Sequence, residues 1–250
     1  MSEEQIGGTP EQEVEELSKE PVPITGGELV ALFKSEQFMH TLRLAADYTR
    51  ATGHESGLSV FKDIFDRKKE TLFITGLEKG GTENFHTAEV EGESSGIILA
   101  RMFSEGLIPI PLLSLHFHPG HPDIIPIASE GDLFGLNVQK FQEIRQEDFQ
   151  VLCYPLAMIG EVDENGNCVF LLLQERFRGK LTPDSKIIID DSEQLDNVVS
   201  REKTLSIFRN GGYRAEIIRV SKTDEVSKAD LKKIQTFAFK PEVVEKKDKR

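Results

Sequence analysis

The chain lacks any apolar run near the roughly 20 residues that a membrane-spanning helix needs, so nothing in its 250 residues reads as a bilayer segment. Cysteine is scarce as well. Cys153 and Cys168 are the only two, too few for a disulfide framework or a cysteine-rich zinc site, and they suit a reducing cytoplasm. Basic residues are outnumbered, 30 Lys and Arg against 43 Asp and Glu, and the net charge of −13 has the wrong sign for general binding to a phosphate backbone. Nucleic acid is therefore disfavoured as a partner. The start, MSEEQIGGTPEQEVEELSKE, has neither the basic residues nor the apolar stretch of a secretory signal. The expectation is a soluble cytoplasmic protein, and at this length its 38% of hydrophobic residues can bury a sizeable core.

Residues 1–22 are rich in glutamate and poor in large apolar side chains, a composition that cannot offset the entropy of ordering, and they are expected to form a disordered acidic tail. At the other end, Ala229 to Lys240 has the spacing of a short amphipathic helix, and Val243 to Arg250 reads as a solvated charged tail. Between them the apolar period switches between helical and extended, which predicts a mixed α/β domain. Glu28 to Thr52 is helix-like, Thr71 to Leu77 (TLFITGL) a strand, Gly92 to Phe103 a second helix, and Leu112 to His118 (LLSLHFH) a strand. Ser129 to Phe141 reads as a third helix with Ser129 as its N-cap. Gln150 to Pro155 reads as a strand, and Ala157 to Val162 and Cys168 to Gln174 as a hairpin joined through Asn165-Gly166. Residues 180–220, with SKIIID and AEIIRVS, read as two further strands.

Three of the six histidines, His116, His118 and His121, fall within six positions. In His116-Phe117-His118 the two imidazoles are separated by one residue, so on a strand they share a face and can chelate one metal ion while Phe117 points away. Asp132, in the first turn of a helix capped by Ser129, can return toward the end of that strand and complete a two-His, one-Asp set. Three protein ligands leave a fourth tetrahedral position open, as in catalytic rather than structural zinc sites. His121, between Gly120 and Pro122, reads as a loop residue over the cleft, because a fourth protein ligand would close the site. His54-Glu55-Ser56-Gly57-Leu58 lacks the second histidine of H-E-x-x-H. Gly92-Glu93-Ser94-Ser95-Gly96 fits the G-x-S-x-G elbow of serine hydrolases, yet no histidine follows His121, so the order Ser, acid, His has no room.

The string HFHPGHPDIIPIASEGDL resembles the signature of the JAMM (MPN+, JAB-domain) metallopeptidase family, H-[ST]-H-P followed after a loop by P-S-x-x-D-L. The positions matched are His116, His118, Pro119, Ser129, Asp132 and Leu133, and the likeness extends over about residues 28–178. It departs from the family at Phe117, where Ser or Thr is usual, and in a longer loop from His118 to Ser129. The resemblance implies an MPN/JAB-like curved sheet flanked by helices over residues 23–178. Residues 179–222 would then be a small β-rich extension, and residues 223–250 a short helix and charged tail. It also implies Zn2+ held by His116, His118 and Asp132, with Glu55 as general base and Ser129 as donor to the oxyanion. Glu93 in GESSGIILA matches the family's E-x-x-G-[IL]-L stretch more closely than Glu55, but it leaves too little chain before His116 for the strand and helix expected there. The implied activity is zinc-dependent peptidase or isopeptidase action on an amide of a ubiquitin-like or sulfur-carrier protein conjugate. The alternative is a non-catalytic MPN-like scaffold for protein assembly.

Overall fold

A computed structural model describes residues 20–65, 72–80, 89–120, 132, 141–143, 149–175 and 201–245. In chain order its elements are α1 (Gly26–Leu32), α2 (Glu36–Thr52), β1 (Ser56–Asp63), β2 (Phe73–Ile74), β3 (Leu77–Lys79), β4 (Glu89–Glu91), α3 (Ser95–Ser104) and β5 (Pro109–Phe117). There follow β6 (Phe141–Glu143), β7 (Phe149–Leu152), β8 (Leu156–Val162), β9 (Cys168–Glu175), α4 (Arg201–Asn210), β10 (Tyr213–Val220), α5 (Lys228–Ile234) and β11 (Glu242–Glu245). The mixed α/β architecture matches the expectation. A mixed eight-stranded sheet runs β10-β9-β8-β5-β1-β3-β4, with β2 also on β1, and helices flank it. Only β5 and β8 pair in parallel; the other ladders of this sheet are antiparallel. A smaller antiparallel sheet has the order β11-β7-β6. Among the described residues, no helix is long and apolar enough to cross a membrane.

The register sorts the side chains of the main sheet into two faces. Ser56 on β1 lies opposite Phe117 on β5, which lies opposite Gly160 on β8, then Phe170 on β9 and Ile218 on β10. This face packs against α2 in the main core, where Phe38, Leu42 and Ala45 meet Leu58, Leu115, Phe117 and Phe170. One residue along each strand, Glu78 of β3, Gly57, His116, Ile159, Leu171 and Ile217 form a row on the other face. Two separate apolar patches cover the ends of that face. At one end, Ile98 and Met102 of α3 pack with Phe73 and Leu107. At the other, Leu205 and Phe208 of α4 pack on Ile159, Leu171 and Ile217.

Local chemistry explains where several expected elements change. The single helix expected over Glu28–Thr52 is two, because Ser35 accepts a hydrogen bond from the Phe38 N–H and starts α2 afresh. Thr25 and Glu28 form a capping box at the start of α1. The strand expected over Thr71–Leu77 is broken: Thr75 bonds Ser59 through both its N–H and its hydroxyl, and a Cβ on Gly76 would lie 2.2 Å from the Glu91 carbonyl oxygen. Leu205 and Phe208, three apart, belong to helix α4 within the span expected to be β-rich. AEIIRVS is strand β10 as expected, whereas SKIIID lies outside the described residues. The expected solvated tail is corrected at its start, where Glu242–Glu245 pairs with Phe149–Leu152. The expected third helix is corrected at its end, since Phe141 belongs to strand β6. The Asn165-Gly166 hairpin stands, with Gly166 at φ 81 and the Asp163 carboxylate accepting from the N–H groups of Asn165 and Asn167. Of the expected acidic tail, residues 1–19 lie outside the described residues, and the Val22 N–H donates to the Ile64 carbonyl.

Candidate metal centre

Strand β5 carries the site because the alternation at its end sends Phe117 to one face and the histidines to the other. Phe117 is fully buried, its ring centroid 5.3 Å from that of Phe170. Gly160 makes this possible: a Cβ there would lie 2.5 Å from Phe170 Cε1 and 2.9 Å from Phe117 Cδ1. The residue between the histidines thus faces the core, and a large apolar side chain there takes nothing from the opposite face. His116 and His118 project to that opposite face, and the His118 N–H is tied to the Gly160 carbonyl at 2.9 Å.

The two imidazoles approach each other at 3.0 Å between their Nε2 atoms. Asp132, in helical conformation, brings Oδ1 to 2.8 Å from His116 Nε2 and Oδ2 to 3.5 Å from His118 Nε2. These three residues form a group whose ligand atoms lie within 4.8 Å of one another. A tetrahedral zinc with bonds of about 2.0–2.1 Å sets its ligand atoms about 3.3–3.4 Å apart, close to the separations found. The donor set therefore fits zinc. Its electrostatics agree. Burial, helped by His116 and opposed by Asp132, holds the pKa of His118 down to about 4, so the imidazole is neutral near neutral pH.

Glu55 precedes β1 by one residue and is two before Gly57, which lies opposite His116, so strand alternation puts it on the same face. It is 8% exposed and electrostatically coupled to both His116 and Asp132. Burial raises its pKa, His116 opposes the shift, and Asp132 adds to it. A Cβ on Gly57 would lie 2.2 Å from the Leu115 carbonyl oxygen and 3.0 Å from His116 Cα, so glycine lets β1 approach β5 closely here. Glu93 is elsewhere: half exposed, its carboxylate accepts a 2.8 Å bond from Arg101. Ser94, the serine of the G-x-S-x-G string, caps α3 by accepting from the Ile97 N–H. Ser129 and His121 lie outside the described residues. Cys153 and Cys168 are buried, and burial pushes both thiols up to about 12, far from nucleophilic.

Two carboxyls on this face were not anticipated from the sequence. Glu78 is buried beside Gly57 and accepts from the Ser95 hydroxyl at 2.7 Å, which pins the start of α3 to β3. Glu161, two residues past Ile159 and so on its face, is 8% exposed, and burial pushes its pKa up to about 8. Its Oε2 is buried with no hydrogen-bond partner among the described residues. The one signal available was strand parity, a lone acid in LAMIGEV in step with the histidines. No protein-family model matches this chain, and no curated protein matches it.

Proposed function

We propose that the chain is a zinc-dependent peptidase or isopeptidase of the JAMM type, built on an MPN-like form of its mixed sheet. The observation that carries this reading is the meeting of His116, His118, Asp132 and Glu55 on the part of one sheet face left between two helix-covered patches. Zinc held by His116, His118 and Asp132 supplies Lewis-acid chemistry, acidifying water and polarising a carbonyl. The neutral His118 imidazole and the Asp132 carboxylate present lone pairs, β5 holds His116 through its ladders to β1 and β8, and the Gly160 carbonyl holds the backbone of His118. Glu55 accepts a proton from the attacking water and returns it to the leaving amine. Its raised pKa matches both halves of that task better than an exposed carboxylate would. Ser129 stands as the donor to the oxyanion. The substrate class, an amide of a ubiquitin-like or sulfur-carrier protein, comes from the JAMM resemblance, and two buried cysteines that form no disulfide fit a cytoplasmic setting.

Elemental analysis of protein purified without added metal tests the site first. About one zinc per chain is expected in the wild type and none in His118→Ala. Glu55→Gln should then keep its zinc and lose hydrolysis of a panel of ubiquitin-like conjugates and peptide amides by about 10²–10⁴-fold, while Glu93→Gln keeps both. A wild type that takes up no zinc even on reconstitution would end the metallopeptidase reading in favour of the scaffold.

A further inference from the structure

Two other buried carboxyls have hydrogen-bond partners. Glu78 has the Ser95 hydroxyl, and the Asp63 carboxylate accepts from the Ile108 N–H. Glu161 differs from both. It is 8% exposed, and among the described residues its Oε2 meets no donor. A buried acceptor left in this state is destabilising, and such a group calls for an explanation in terms of what it meets in the working protein.

Its position supplies one. Ile159 lies opposite His116 and Gly160 opposite Phe117 in the parallel β5–β8 ladder, so Glu161 continues on the histidine face beside His118. The carboxyl rests under Gly120, two residues past His118; a Cβ there would lie 2.4 Å from Glu161 Cδ and 2.7 Å from Oε2. Glycine at 120 therefore leaves this carboxyl its space at the edge of the site. The centre is thus flanked on both sides by a buried carboxyl: Glu55 on the β1 side, electrostatically joined to the cluster, and Glu161 on the β8 side, with an oxygen that has no partner among the described residues.

We propose that Glu161 is a substrate-recognition residue, whose free carboxyl oxygen receives an ammonium or guanidinium group of the substrate on the β8 side of the histidines. The inference rests on the reading of this face as a substrate site. A cationic donor is the partner that a carboxyl in apolar surroundings rewards most, since charge-assisted bonds are about twice as strong as neutral ones. The chain's net charge of −13 draws such ligands from solution. Release of a primary amine, which is an ammonium at neutral pH, is also what amide hydrolysis produces.

The test uses the full-length protein labelled with ¹⁵N and titrated with n-butylguanidinium and with n-butylurea, its neutral counterpart of the same shape, with zinc content measured in parallel. The wild type is expected to prefer butylguanidinium by about ten-fold or more, with amide shifts at Gly120 and Gly160. Glu161→Gln should bring the preference close to one without loss of zinc, and Glu161→Leu should melt at a higher temperature than the wild type. Equal binding of the two probes, no binding of either, or a preference that survives in Glu161→Gln would overturn the assignment. So would lower melting temperatures in both variants, the mark of a carboxyl that holds the fold. A preference in protein that takes up no zinc would defeat the metallopeptidase reading and leave the cation site standing; zinc without a preference would do the reverse.

Discussion

The two faces of the main sheet, one residue out of step on every strand, are built to different ends. On the first, Ser56, Phe117, Gly160, Phe170 and Ile218 pack against α2, and the polar member of the row, Ser56, is fully paired: its hydroxyl donates to the Ala45 carbonyl at 2.6 Å and meets the Thr49 hydroxyl at 2.6 Å. On the second, apolar cover arrives in two patches under α3 and α4, and between them stand Gly57, His116 and the carboxyls of Glu55 and Glu161. The contrast teaches how one strand serves both core and chemistry. Close packing on one side holds β5 in place, so the other side can keep polar groups that no packing argument would put there.

Breaking the packed face should cost most. Phe117→Ala removes a ring wedged between α2 and Phe170, and a loss of about 3–5 kcal/mol is expected in urea unfolding. Its neighbour is the contrast: His116→Ala should cost metal-free protein under about 1 kcal/mol. It should also abolish the stabilisation by zinc, about 4 kcal/mol at a thousand-fold excess over Kd in the wild type. If both variants lose equal stability without metal, the division of labour between the faces is wrong.

A smaller effect should appear with pH. Glu161 has a folded pKa of about 8 against a reference of 4.5, so between these values the folded state binds a proton that the unfolded state has lost. Stability of the metal-free protein should then fall as pH rises through that window, by roughly 2–4 kcal/mol. Glu161→Gln should remove that slope, as read from urea midpoints at pH 5 and pH 8. A wild type and variant with parallel pH profiles would place this carboxyl in a solvated setting. The smallest change is Ser56→Ala, which strips α2 of its hydroxyl bridge to β1 and should cost about 1–2 kcal/mol in the same assay while zinc uptake is unchanged.

Much of this arrangement is legible in the amino-acid order because strand parity is a local rule. His116-Phe117-His118 declares a shared face for the imidazoles and the opposite face for the ring, and both hold. Asp132 lies against the histidines, and it is Glu55, not Glu93, that shares electrostatics with His116 and Asp132. The apolar period fails where a single polar side chain decides an element's end. Ser35 restarts a helix in the middle of a continuous apolar pattern, and α4 buries Leu205 and Phe208 within a charged segment. It also fails where pairing is non-local: β11 finds β7 across the chain, and β5 and β8 pair in parallel though the segment between them has strands of its own. Glu161 was hidden for the same reason, since its parity is local but the glycine that shelters it belongs to another strand's end.

Ile24 and Phe239 are joined by two backbone hydrogen bonds, of 2.7 and 3.0 Å, and beside them Lys240 pairs with Glu20 across 220 positions of sequence. For a ribosome making the chain from its amino end, this stitch reverses the usual order of events. Ile24 is made before every strand of the main sheet and Phe239 after them, so this pairing, with the short helix that follows Ile24, forms only once those strands have been synthesised. Strands β1, β5 and β8 can pair well before that. The nascent protein would then hold its histidine pair in place while its base is still open.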